Sequence, residues 1–289
     1  MPDRNRSPMS DTYNHHTTTE IPPVCLAYRG FSFLFSGSVL YWKKEGKAPN
    51  CSLTQEDDDM DVQVLRQQIY DAALPKLRGR KVTDLVIGLS LLAVELDHKD
   101  MAVGYVLRES LHGGCSIFSY AQEAVGMDAA EAALWFVTGG DDVQRAIGGA
   151  VINAASGALQ MEDTQDGRPF GLDLAPGTRV GMVGNIHPVA MALKKMGCEL
   201  VIFDKGKCPH GDPAADLHPM EEQKDLLPTC HVVFLSGTTA INGSLAPLLD
   251  LCTKARDIVL MGSSTPMVPG GYAGTPVSIL AGSGWQQED

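Results

Sequence analysis

The residues with the clearest chemical potential stand directly after four apolar runs in the second half of the chain. The first run is followed by residues 184–188, of sequence Gly-Asn-Ile-His-Pro, and the second by Asp204. Residues 236–239, with Asn242 shortly after, follow the third run, and residues 262–266 follow the fourth. Backbone N–H groups, hydroxyls and amides can bind an anion, whereas a carboxylate or an imidazole can bind a metal ion.

The apolar runs themselves have the length and character of buried strands. They cover residues 180–183, 200–203, 232–235, 258–261 and, near the end, 277–281, and helices are predicted at 188–196 and 245–253. Continuous apolar strands that alternate with helices predict a doubly wound parallel sheet with both faces covered. The carboxyl ends of such strands meet at one border, so we expect the four loops to form a common ligand site there.

The glycine pattern of the first loop argues against NAD. Gly181 and Gly184 are followed by His187, whereas the dinucleotide fingerprint is G-x-G-x-x-G. Pro188 suits the first turn of a helix, whose free N–H groups would attract an anion. Asp204 lies about twenty residues beyond the glycine turn, where a nucleotide fold holds a ribose hydroxyl. His187 remains open as a ligand, a general base or a residue that only begins the helix.

Three pairs of thiol and imidazole groups could bind a soft metal ion. They are Cys115 near His112, Cys208 with His210, and Cys230 with His231. A closed zinc site needs four ligands, and none of these pairs has a diagnostic spacing. A buried role for Cys230, which precedes an apolar strand, is the alternative.

The first half of the chain has a different organisation. Residues 1–20 and 49–59 are polar, and residues 1–59 are predicted to be a leader that is disordered or non-native-like. Residues 60–165 are predicted to form a smaller α+β domain, and residues 166–285 the doubly wound domain. The first domain would consist of a helix after residue 60, two β-rich runs at 85–96 and 101–107, and helices near 117–125, 128–136 and 143–158.

Composition narrows the cellular setting and the partners. The 289 residues carry a formal net charge of −12, which argues against nucleic acid as a partner. Seven scattered cysteines without a C-x-x-C pair indicate reduced thiols in a cytoplasmic protein. The apolar stretch at 31–42 is too short to span a membrane. A homo-oligomer is left open.

Several segments resemble the putative heavy-metal chelation family, a largely uncharacterised group. They are Val-Gly-Met-Val-Gly-Asn-Ile-His-Pro at 180–188, Leu-Ser-Gly-Thr-Thr-Ala-Ile-Asn-Gly-Ser-Leu at 235–245, and Val-Leu-Met-Gly-Ser-Ser-Thr-Pro-Met-Val-Pro at 259–269. The resemblance implies a Rossmann-like C-terminal domain. The hairpin at 88–105 and the helix around 152–154 are similar to that family's companion domain, which resembles the N-terminal domain of enolase.

The resemblance also implies a site between the two domains. Together with the loop sequence, it implicates Gly184, Asn185, His187, Pro188, Asp204, Thr238, Thr239, Asn242, Ser263, Ser264 and Pro266, with Asn153 opposite. Among these, His187 and Asp204 are the candidate metal contacts. Asn153 either ties two elements together or faces the ligand, because a buried amide needs partners.

Our leading hypothesis is a protein that handles a metal ion of unknown identity, or a metal-chelating small molecule, between the domains. An enzyme with a nucleotide-like cofactor such as S-adenosylmethionine is the first alternative. The second is a non-catalytic scaffold whose loop residues only make turns. The residues do not decide whether a reaction is catalysed.

Overall fold

A computed structural model describes most of the chain beyond residue 60 and the backbone of three strands before it. The described ranges are 61–107, 120–156, 169–205 and 217–287, with β1 (Leu26–Tyr28), β2 (Phe31–Phe33) and β3 (Phe35–Lys43). None of the helices in these ranges is long and apolar enough to cross a membrane.

The first unit begins with helix α1 (Val62–Leu77). Asp61 caps this helix, since its carboxylate accepts the backbone N–H of Gln63 at 2.8 Å. Leu65 and Ile69 recur at helical spacing and are buried. That face of α1 packs on a later helix and on the turn Pro269–Tyr272, so α1 links the beginning of the fold to its end.

Three antiparallel strands follow: β4 (Val82–Ile87), β5 (Leu91–Leu96) and β6 (Met101–Tyr105). The predicted turn between residues 96 and 101 is confirmed. The run predicted as one strand at 85–96 is instead two strands joined by a tight turn, in which Gly88 N–H donates to the Leu91 carbonyl at 2.8 Å. The glycine explains the break, because it adapts readily to a turn.

Three helices complete the first unit: α2 (Tyr120–Ala124), α3 (Ala129–Thr138) and α4 (Asp142–Ala155). The small residues of α4 allow it to lie very close to α3. A Cβ added at Gly148 would stand 2.2 Å from the backbone nitrogen of Phe136, so a larger residue would separate the two helices. This contact explains the series of small residues in α4.

The second unit is a parallel sheet with helices between its strands. Its strands are β7 (Arg179–Val183), β8 (Glu199–Phe203), β9 (Leu217–His218), β10 (Val232–Ser236), β11 (Asp257–Met261) and β12 (Ile279–Gln287). Its helices are α5 (His187–Lys195), α6 (Gln223–Leu226), α7 (Thr238–Asn242) and α8 (Leu245–Leu251). The strand order β12-β11-β10-β7-β8-β9 reverses between β7 and β10, which is the order of a doubly wound fold.

Both faces of this sheet are covered, as the apolar strands predicted. Val180, Met182 and Phe234 belong to a core on one face, where α5 packs. Leu235 and Leu260 belong to a larger core on the other face, where α7 and α8 pack. The mixed α/β fold expected from the sequence is therefore confirmed.

The two units share a sheet and a core. Trp285 of β12 pairs with Met101 of β6, so the antiparallel strands continue the parallel ones. Ile69 and Ile152 of the first unit lie in the same core as Leu235. The predicted boundary near residue 166 lies outside the described residues, and the division into two domains stays a prediction.

The strand β3 lies within residues 1–59, for which the sequence predicted no ordered element. It pairs antiparallel with β12, from Phe35 opposite Gln287 to Lys43 opposite Ile279. Its sequence contains valine, tyrosine, tryptophan and phenylalanine, which favour strands. The apolar stretch at 31–42, which is too short to span a membrane, overlaps this strand.

Candidate functional site at the carboxyl ends of the parallel strands

The four loops singled out in the sequence follow strands that run in the same direction. β7 is parallel to both β8 and β10, and β10 is parallel to β11. Their carboxyl ends therefore form one border of the sheet, as the alternating pattern predicted. The strand order reverses within this border, between β7 and β10.

Close backbone approach at the reversal requires a glycine. Gly184 has a φ of 89°, and a Cβ added there would lie 2.7 Å from the Cβ of Ser236. The next residue, Asn185, donates its backbone N–H to a carboxylate oxygen of Asp204 at 2.5 Å. The Asp204 carboxylate therefore holds the glycine loop in place, which is a role that the sequence did not predict.

Hydroxyl groups dominate the loop after β10. The hydroxyl oxygens of Ser236 and Thr238 lie 2.9 Å apart, and the Thr239 hydroxyl donates to the Ser236 carbonyl at 2.7 Å. Gly237 N–H donates to the Met261 carbonyl at 2.8 Å. A Cβ at Gly237 would stand 2.3 Å from the nitrogen of Thr265, so this glycine lets the last two loops touch.

The first unit reaches the border through the loop after β11. Asn153 of α4 donates its side-chain amide to the Ser263 carbonyl at 3.3 Å and accepts the Met267 N–H at 2.8 Å. The Tyr105 N–H at the end of β6 donates to the Ser264 hydroxyl oxygen at 2.8 Å. Of the two roles open for Asn153, these bonds favour the one that ties elements together.

One polar group in this loop has no protein partner. Thr265 is completely buried, and its hydroxyl oxygen has no hydrogen-bond partner among the residues that the structure describes. A buried hydroxyl without a partner costs about 1–3 kcal/mol. This unfavourable free energy arises in the loop after β11, which hydrogen bonds to Asn153 and Tyr105 hold in place.

Two arginines of the first unit bond to the C-terminal end of α7, which is the end away from the border. Arg66 of α1 donates to the carbonyls of Ala240, at 3.0 Å, and Ile241, at 2.5 Å, and Arg145 of α4 donates to the same Ile241 carbonyl at 3.0 Å. Arg145 is also paired with Asp142 at 2.6 Å. Burial and the neighbouring Arg145 lower the pKa of Arg66 to about 10, so the guanidinium group of Arg66 is still charged at neutral pH.

The sequence reasoning missed this pair of arginines, although a signal was present. Arg66 falls between Leu65 and Ile69, on the apolar stripe of α1, and only 6% of it is exposed. A charged residue on a buried helix face must bond to something. That position could have suggested a contact with the second unit.

The remaining predicted residues have different surroundings. His187 and Pro188 are exposed at the first turn of α5. The Asn242 side chain is exposed at the opposite end of α7 from the border, where its oxygen accepts the Ser244 N–H at 3.0 Å. The Pro266 carbonyl accepts the hydroxyl of buried Tyr272 at 3.1 Å. The structure therefore brings the loop residues and Asn153 together but leaves Asn242 in a local turn.

The described residues contain no group of three or more histidine, cysteine, aspartate or glutamate side chains placed to hold a metal ion. Of the predicted thiol and imidazole pairs, those at 112–115 and 208–210 lie outside the described residues. Cys230 is buried and its thiol donates to the Leu226 carbonyl at 3.4 Å. Burial raises the pKa of Cys230, so its thiol remains protonated. The ring of His231 accepts the backbone N–H of Arg179.

The strand order and the loops at its reversal define a doubly wound α/β protein with an added antiparallel unit. Residues 70–156 match the family model DUF4213 and residues 168–289 match DUF364, and both models are described as "Putative heavy-metal chelation". The chain belongs to this putative heavy-metal chelation family, as the sequence resemblance predicted.

Individual relatives support the fold. An uncharacterized protein of Methanocaldococcus jannaschii is 29% identical over 144 residues, which are 49% of this chain and 54% of that protein. The chain thus matches about half the length of this relative. Crystal structures of DUF364 proteins of unknown function from Pyrococcus horikoshii and Desulfitobacterium hafniense are similar, each with a TM-score of 0.59. They are 22% and 23% identical and align with 74% and 75% of this chain, and with 84% and 85% of their own chains.

Proposed function

We propose that this protein binds a small anionic ligand, alone or as a metal chelate, at the carboxyl border of its parallel strands. The observation that carries the proposal is the convergence of four loops at one border, two of which offer hydroxyl groups. Ser236 and Thr238 provide hydroxyls beside Gly184, and the loop after β11 adds Ser263 and Ser264. Such groups recognise carboxylate and phosphate oxygens.

The charge of the whole protein bears on the form in which the ligand would bind. A net charge of −12 repels free anions. A chelate carries less negative charge than its free chelator, because the metal ion neutralises part of it. The family description supports a metal as cargo. We therefore favour the metal chelate as the natural form of the ligand.

Two kinds of residue would have different tasks in this site. Asp204 and Asn153 would position the loops, since their side chains bond to loop backbone groups. Thr238 would contact the ligand through its hydroxyl, which is only partly buried. His187, exposed at the start of α5, remains the metal contact proposed from the sequence, beside Asp204.

A nucleotide-like cofactor such as S-adenosylmethionine is the second candidate, and the position of Asp204 favours it. Asp204 ends the strand next to the reversal, where a doubly wound fold binds a ribose. Its bond to the Asn185 N–H uses one carboxylate oxygen for the loop. This bond makes the carboxylate less suited to a ribose, so we rank the cofactor second.

Isothermal titration of the purified protein with citrate, zinc citrate and S-adenosylmethionine tests the proposal. We expect both citrate forms to bind and S-adenosylmethionine not to bind. Thr238→Val should weaken citrate binding about tenfold or more, because a hydrogen bond to a charged group contributes about 1.5–3 kcal/mol. Thr253→Val is the matched control, since Thr253 is exposed between α8 and the opposite end of β11. Equal weakening by both variants, or binding of S-adenosylmethionine alone, would contradict the proposal.

A further inference from the structure

A histidine that the sequence analysis did not single out lies at the same border. His218 is the last residue of β9 and pairs with Phe203 in the register of the parallel strands β8 and β9. Asp204 directly follows Phe203. Since neighbouring strands lie about 4.8 Å apart, the backbone of His218 is close to that of Asp204. His218 extends the border by one strand.

The imidazole ring of His218 is fixed on two sides. Its Nδ1 atom lies 3.0 Å from a carboxylate oxygen of Glu222. The ring centroid lies 5.9 Å from that of Phe203, which is completely buried and therefore cannot move easily. The side chain of His218 is 33% exposed. The ring is thus oriented by the protein and still accessible to a ligand.

The contact with Glu222 determines what the other ring nitrogen can do. A carboxylate beside Nδ1 favours a proton on that atom, which leaves the lone pair of Nε2 available. Among the described residues, Nε2 has no hydrogen-bond partner. A histidine whose second nitrogen donates to a carboxylate is the usual arrangement for binding a metal ion, because the carboxylate fixes the ring and makes Nε2 more basic.

We propose that the Nε2 atom of His218 coordinates the metal ion of the chelate bound at the border. This inference rests on the proposed function and adds a metal-binding residue to it. Glu222 is a positioning residue, since it would act through the ring of His218. The other coordination positions belong to the chelator and to water, because the described residues gather no group of three metal-binding side chains.

The alternative role is a surface ion pair, which would contribute little to stability. The two roles differ in their dependence on the metal. An ion pair would leave the affinities for citrate and zinc citrate unchanged when it is removed. Coordination requires that His218→Gln weakens the binding of zinc citrate and leaves the binding of metal-free citrate as it was.

The test measures both affinities by calorimetry in the wild type and three variants. Zinc should strengthen citrate binding about tenfold or more in the wild type. His218→Gln should remove most of this gain, and Glu222→Gln should reduce it by a smaller factor. His231→Gln is the matched control, because its ring lies at the opposite end of the parallel strands, and it should keep the gain.

Cobalt citrate provides a second readout that does not depend on affinity. Its visible absorption should shift when the wild type is added, because a nitrogen ligand replaces an oxygen ligand, and should not shift with His218→Gln. The inference is overturned if zinc adds nothing to citrate binding, if His218→Gln keeps the gain, or if His231→Gln loses it as well. In those cases citrate binding itself still supports the proposed function. If neither citrate form binds, the proposed function and this inference both fail.

Discussion

Replacing the buried guanidinium of Arg66 should destabilise the protein and disturb its border. Arg66→Met removes two hydrogen bonds, to the carbonyls of Ala240 and Ile241. Bonds from a charged donor contribute about 1.5–3 kcal/mol each. Removing a desolvated charge offsets part of this loss, and Arg145 still donates to Ile241. We therefore expect the free energy of unfolding to fall by about 2–3 kcal/mol.

Equilibrium urea unfolding measures this change, and two further variants control it. Arg66→Lys keeps the charge and one donor group, so its loss should be smaller, about 1 kcal/mol. Arg78→Met alters an exposed arginine just after the same helix and should change stability by less than about 0.5 kcal/mol. If Arg66→Met and Arg78→Met lost the same stability, the hydrogen bonds from Arg66 to α7 would not contribute measurably to the free energy of unfolding.

The same variant should also affect ligand binding, because α7 begins at the border with Thr238 and ends at the carbonyls that Arg66 holds. Loosening its far end allows the Thr238 hydroxyl to move from its position. We expect Arg66→Met to bind zinc citrate more weakly than Arg78→Met at a temperature where both are folded. Identical affinities of the two variants for zinc citrate would show that the Arg66 hydrogen bonds stabilise the fold but do not position the site.

Three further predictions concern single residues. Asn153→Ala leaves the buried N–H of Met267 without its acceptor and should lower the free energy of urea unfolding by about 2–3 kcal/mol, whereas a loss below about 0.5 kcal/mol would contradict its tying role. Gly184→Ala should cost about 1–3 kcal/mol in the same assay, because its φ is positive and its Cβ would collide with Ser236; a neutral result would refute this reasoning. Burial raises the pKa of Cys252 from 9.0 to about 12, so the folded protein keeps a proton that the unfolded chain releases. Stability should therefore fall as the pH rises from 9 towards 12, and fall less in Cys252→Ala; equal slopes would disprove it.

The parallel half of the fold could be predicted because its signals are local. Runs such as 232–235 and 258–261 are apolar throughout, and residues of turn type follow each of them. Parallel strands then determine where those residues meet, without any knowledge of side-chain contacts. The border of the candidate site was therefore predictable from the sequence.

Contacts between distant residues could not be predicted in the same way. The two-residue strand β9 is too short to leave a pattern, and it carries His218. β3 depends on β12, more than two hundred residues later in the chain. From the sequence, Asn153 could either tie two elements together or face a ligand. Only its hydrogen bonds to Ser263 and Met267, which the sequence does not reveal, favour the first role.

Hydrogen exchange of the backbone amides, followed by mass spectrometry with and without zinc citrate, tests the central claim most directly. The account predicts slower exchange in segments 184–188, 236–239 and 262–266, which all belong to one border of the sheet. It predicts no change in segments 173–178 and 253–256, which precede β7 and β11 at the opposite border. Slower exchange at that opposite border alone, or no change anywhere, would contradict the account.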